Sequence, residues 1–182
     1  SKNFPNDSKG KGIIPYLETV GVKFGQNLNA GTSFDYTVYN IDAVPTARKT
    51  ALDSCLLILH DWSSFISLLE NEIDAERGVI REEWRTGASA NRRMWKESNK
   101  QKYVGSQYAK RDVIGDTAVI NNFSYQALRD YYKKWYRPDQ QAIVVVGDVD
   151  VDKMEAKIKQ IFSDIPKKEN FGERPVYEIA DN

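Results

Sequence analysis

ENEIDAERGVIREEWR, residues 70–85, contains no proline, a single glycine and apolar residues at helical spacing. At about 100° per residue, Leu69, Ile73 and Ile80 share one face, with Val79 and Trp84 beside it. Glu76 and Glu83 lie seven residues, or two turns, apart and project within about 20° of each other onto that face. Glu82 points away, toward water. An amphipathic helix has no packing reason to place two carboxylates in its apolar stripe. Burying them is costly unless a cation, a donor or a metal compensates. The pair therefore asks for a partner, and three kinds are open: an Arg or Lys of the same core, a metal ion, or a shared acid/base role. The last ranks lowest, because adjacent turns of one helix are poorly placed to flank a scissile bond.

Working outward, Ile13 to Val20 reads as a short helix with Pro15 in its first turn and Gly21 ending it. Residues 1–12 are polar, with Gly10 and Gly12, and read as a loop. Phe24 to Thr32 is expected to be extended but interrupted by Gly25 and Gly31. Phe34 to Ala43 is rich in β-formers and reads as a strand, pairing with the preceding segment through a turn near Ser33 to Asp35. Pro45 opens a helix to about Ser63, with Ala47, Ala51, Leu52, Cys55, Leu56 and Leu59 as its stripe. Beyond the break at Gly87 a helix resumes over 90–99. Residues 100–122 read as irregular. Ser124 caps a helix from Tyr125 to Trp135, which Pro138 stops. QAIVVV, 141–146, reads as a buried strand closed by Gly147-Asp148. Asp150 or Asp152 caps a helix from Lys153 to Ile161. This order predicts an α+β fold, a largely antiparallel sheet with helices packed on one face.

Composition excludes several functions. The 182 residues carry 26 Lys plus Arg against 26 Asp plus Glu, so no basic patch argues for nucleic acid or an anionic membrane. The aromatics are scattered. No apolar run approaches the roughly 20 residues of a membrane span. Cys55 is the only cysteine, which excludes an internal disulfide and a cysteine zinc site. His60 is the only histidine, so no two-histidine metal motif exists in the chain, and a Ser-His-Asp triad would have to use it without a G-x-S-x-G motif. Near a helix end, it reads as a structural cation facing the helix dipole. No glycine pattern matches a phosphate loop, and Gly10-Lys11-Gly12 reads as a plain turn.

Several segments, in order, resemble one family. ENEIDAERGVIREEWR resembles the third-ligand helix of the pitrilysin/insulinase zinc metallopeptidases, which carry an inverted H-x-x-E-H motif. KNFP (2–5) is similar to the loop after the family's motif helix. GIIPYLETVGVKFGQNLNAGTSFDYTVYNI (12–41) is similar to the following helix and edge-strand region. LRDYYKKWYRPDQQAIVVVGDVD (128–150) is similar to the closing helix, strand and Gly-Asp turn.

That resemblance implies a mitochondrial-processing-peptidase-like metallohydrolase domain, truncated at its N-terminus, over residues 1–165. Residues 166–182, polar and containing proline, read from their composition as a linker toward a following domain. It implies zinc bound by two histidines of the motif and a distal Glu, with the motif Glu as general base. Within E-R-x-x-x-x-x-E, the distal ligand is Glu83, and Glu76 is the carboxylate that orients a ligating histidine. Asn29 and Ala30 match the segment lining the substrate cleft, where an extended peptide adds to a sheet edge. Two departures stand out. H-x-x-E-H is absent from the chain, so no catalytic residue is assigned in it. Gly31 follows Asn29-Ala30 where the family often has a bulky aromatic, a departure that argues against the usual side-chain pocket there.

The expected parent is a zinc-dependent metalloendopeptidase acting on short or unfolded polypeptides. Its expected partners are a peptide substrate and a homologous second half. Without the motif, which is expected just upstream of Ser1, the chain alone is expected to bind no zinc tightly and to be inactive. The bacterial periplasm or cell envelope is the expected location. The alternative is a non-catalytic paralogue serving as a chamber wall or scaffold.

Overall fold

The computed structural model describes residues 1–4, 12–23, 25–167 and 172–178. The loop reading over residues 5–11, the extended reading at Phe24, and the linker reading over 168–171 and 179–182 lie outside the described residues.

Helix α1 (Ile13–Thr19) ends at Val20, and Gly21 adopts φ +89°, a left-handed conformation that glycine takes without strain. Strands β1 (Leu28–Thr32) and β2 (Thr37–Ile41) form a hairpin closed by Ser33 N–H donating to Tyr36 O at 2.8 Å. At the other end Asp42 N–H donates to Asn27 O at 2.7 Å. Both bonds obey one antiparallel register, which sets Asn29 opposite Asn40 and Ala30 opposite Tyr39.

Helix α2 (Lys49–Ser64) starts four residues later than expected. Arg48 is extended (φ −91°, ψ 98°), and residues 45–48 form a separate turn. Helices α3 (Glu70–Thr86) and α4 (Ala90–Lys102) follow, with the Ser89 hydroxyl accepting Arg92 N–H at the start of α4. The stretch expected to be irregular contains a short helix, α5 (Thr117–Asn122), nucleated by the Asp116 carboxylate accepting Ala118 N–H. At six residues it is too short to show a periodicity. Ser124 Oγ accepts Ala127 N–H at the start of α6 (Tyr125–Trp135). Asp150, not Asp152, caps α7 (Val151–Phe162).

The α+β class holds, but the sheet among the described residues is the two-stranded hairpin alone. The buried strand expected at 141–146 is not formed. The Gln141 amide is anchored to Ser63 O at 2.9 Å, yet Val144 and Val146 are 79% and 91% exposed. A strand exists by pairing, and no described segment pairs with this one.

The chain forms two compact units. The first holds Ser1–Gly31, Thr37–Ser67 and Tyr131–Phe171. Its core joins Leu17, Val20, Val22 and Leu28 to Ala51, Cys55 and Ile58 of α2, with Phe4, Tyr16 and Trp62 packed around it. Burial pushes the Cys55 thiol up to about 11, so it is a small apolar side chain and not a reactive one. The second unit holds Thr32–Tyr36, Leu68–Asp130 and Gly172–Asn182. In it α3 packs on α5, and α4 packs on a turn at Gln107–Ala109.

Candidate functional site

The packed flank of α3 is not the one expected. Ile73 is buried, and Ile80 and Arg77 are half-buried, whereas Leu69, Val79 and Trp84 are exposed. On a helical wheel the packed flank is centred about 70° from Glu76. Glu76 and Glu83 stand just outside it, and both are exposed. The expectation that the two carboxylates are buried in the apolar stripe is therefore wrong. Leu69 pulled the apparent stripe toward them, and Leu69 precedes the helix and faces solvent.

Neither carboxylate has a side-chain partner among the described residues. Structural ion pairs thus do not account for either one. Seven residues at about 1.5 Å each separate their α-carbons by about 10 Å along the axis. That span suits one group at a metal and one behind it, not joint chelation.

A residue that sequence reasoning missed fixes this helix. The Arg77 guanidinium donates from Nη1 to Ile120 O (2.5 Å) and from Nη2 to Phe123 O (2.6 Å), both at the C-terminal end of α5. Its Nε donates to Asp74 Oδ1 at 3.2 Å, and its centre lies 3.8 Å from the Phe123 ring centroid. Asp74 Oδ2 in turn accepts the Tyr125 hydroxyl at 2.6 Å. The last carbonyls of a helix lack intrahelical donors and attract a cation, so Arg77 supplies both needs at once. Main-chain acceptors leave no mark in a sequence, which is why no pattern disclosed this role.

In the hairpin, Asn29 and Ala30 are exposed on β1. The register turns Ala30 N–H away from β2, to the outer edge, and there it donates to its neighbour's Asn29 Oδ1 at 2.8 Å. No described strand occupies that edge.

His60 lies near the end of α2, as expected, and it is buried there. Its Nε2 lies 2.7 Å from Asp164 Oδ1 and its Nδ1 3.2 Å from Asp61 Oδ1, while Phe65 stacks on its ring. Asp61 also accepts Asn3 N–H and Asn3 Nδ2, each at 2.7 Å, and Lys2 Nζ meets Asp164 Oδ2 at 2.8 Å. Burial alone would push the Asp61 carboxyl up. The bonds from Asn3, Ser1 and His60 outweigh burial and hold it below the usual carboxylate value. The cluster pins residues 2–3 to the first unit, a structural role for the lone histidine.

Among the described residues no group of three or more His, Cys, Asp and Glu is arranged to hold a metal ion. Glu83 nevertheless suits one corner of a zinc site. It offers an exposed, unpaired carboxylate oxygen on a helix held by Arg77.

Comparison with known proteins identifies relatives. Residues 5–115 match the family described as Insulinase (Peptidase family M16), and residues 122–181 match Peptidase M16 inactive domain. The chain is 35% identical to Probable zinc protease PqqL of Haemophilus influenzae over 163 residues, covering 90% of this chain. It is 34% identical to the Escherichia coli protein of the same name over 160 residues, covering 86%. It spans 17% of the length of each of these curated relatives. The crystal structure of the first half of the periplasmic protease PqqL from E. coli superposes with a TM-score of 0.84 at 32% identity. That match covers 96% of this chain and 37% of the other.

Proposed function

The chain belongs to the insulinase family of peptidases, peptidase family M16, and on that premise we propose that the whole protein is a zinc-dependent metalloendopeptidase. Its substrates are short or unfolded polypeptides. Glu83 is a zinc ligand, Glu76 orients a ligating histidine from behind, and the remaining ligands and the general base come from outside these 182 residues. When bound, zinc makes a water nucleophilic near neutral pH and polarises the peptide carbonyl. The parts played by this chain are to present Glu83 on a rigid helix and to offer the outer edge of β1, at Asn29 and Ala30, to an extended peptide. The peptidase-like part lies within residues 1–165. A homologous second half is the partner, and the periplasm or cell envelope is the location, a reading the E. coli relative supports.

The observation that carries this reading is the exposed Glu83 carboxylate, unpaired among the described residues. Metal analysis and cleavage of a quenched-fluorescent peptide by the complete protein test it. Glu83→Gln is expected to lose stoichiometric zinc and peptidase activity together, and Glu76→Gln to weaken zinc by about 10- to 100-fold. Full zinc in Glu83→Gln would sink the assignment. The 182 residues alone are expected to bind zinc weakly and to cleave nothing.

A second reading, a non-catalytic wall or scaffold, draws on the match of residues 122–181 to the inactive domain. The sequence of the complete protein separates the two. H-x-x-E-H in it supports the peptidase, and its absence supports the scaffold.

A further inference from the structure

We propose that Arg77 is the positioning residue of this site: by gripping two main-chain carbonyls of α5 it fixes the rotation of α3, and with it the direction in which Glu83 projects. The proposal rests on the zinc-ligand reading of Glu83 given above and deepens it.

Little else holds α3 in place. Among the apolar side chains of α3, Ile73 is buried and Ile80 half-buried, whereas Val79 and Trp84 are exposed. Apolar packing is non-directional, and two isoleucines, one of them half-buried, do little to fix the rotation of a helix about its axis. A ligand site tolerates little of that. A carboxylate must stay within roughly 0.5 Å and 10–20° of its working position. A roll of about 20° would swing the end of a glutamate side chain by more than this tolerance.

Arg77 supplies the missing direction. Its planar fork meets Ile120 O and Phe123 O at once, its face lies on the Phe123 ring, and its Nε meets Asp74. A rigid two-pronged donor fixes an angle as well as a distance, which a lysine ammonium does not. Asp74 extends the grip to the first residue of α6 through Tyr125. Arg77 follows Glu76 directly and precedes Glu83 by six residues, so both carboxylates turn with the same anchored segment. Arg77 points to a different flank, about 100° away from them. It therefore acts through the helix and not by contact with metal or substrate.

The test uses the complete protein and reads zinc affinity by competition with a chromogenic chelator, well below the unfolding temperature, on variants whose circular dichroism matches the wild type. Arg77→Gln and Arg77→Lys are compared with Glu83→Gln. Arg77→Gln is expected to weaken zinc about 10- to 100-fold. Arg77→Lys, which keeps the cation but not the fork, is expected to fall between it and the wild type. A folded Arg77→Lys or Arg77→Gln with wild-type zinc affinity overturns the proposal, even where Glu83→Gln has lost its zinc. If Glu83→Gln retains wild-type zinc, the ligand reading itself has failed and the positioning role falls with it. Should Arg77→Gln not fold, Arg77→Lys decides.

Discussion

Ala30 offers a way to remove one atom from the proposed substrate edge without touching the hairpin. Its N–H faces outward, and the β1–β2 bonds are made by the alternate residues. Proline is tolerated on the free side of an edge strand, so Ala30→Pro deletes that donor and leaves the ladder in place. In the complete protein, KM for a peptide is expected to rise about tenfold or more, the worth of one lost hydrogen bond and some geometry, with kcat and zinc content little changed. Steady-state kinetics check this. Asp61 gives a test of pH. Its folded carboxyl titrates below the ordinary value, so its stabilisation is complete above about pH 4 and is lost as pH falls through the depressed folded value. Asp61→Asn is expected to cost about 1–3 kcal/mol at pH 7, and the gap to wild type should narrow as pH falls below about 4. Urea titrations at neutral and acid pH measure it. The hydrogen bonds of neither residue were legible in the sequence. Asn29 and Ala30 came from resemblance, but that Asn29 occupies its neighbour's N–H is a matter of side-chain geometry. Asp61 lies next to His60 in the sequence, yet its main partner, Asn3, lies 58 residues away.

Helices were legible as elements because spacing and caps are local. Ser124 and Asp150 start α6 and α7 as their side-chain chemistry requires. The rotation of α3 was not legible. A wheel assigns a face by counting apolar residues, and Leu69 counts although it precedes the helix. Half-buried Arg77 does not count, although it faces the packing. A second feature of α3 points the same way. Gly78 sits mid-helix, and a Cβ added there would meet nothing within 4 Å. Gly78→Ala is therefore expected to stabilise the protein by about 0.5–1 kcal/mol. It lies well away from the direction of Glu76 and Glu83, so zinc affinity should not change. Thermal unfolding combined with a chelator titration checks both halves of that statement.

On the scale of the molecule, the α+β class could be read from the order of elements, but the extent of the sheet could not. Alternation and β-branched residues mark a segment able to pair. They do not say whether its neighbours are present, and 141–146 is the case in point. Val144 and Val146 stand open to water beside Ile143 in a run without charge or proline. Such a window is a template for intermolecular β-stacking. The practical consequence concerns handling of the 182-residue chain: it should be colloidally unstable. It is expected to scatter light and raise thioflavin fluorescence at tens of micromolar. Val146→Lys should suppress both without loss of helical signal, because one charge in the run is enough to gate stacking.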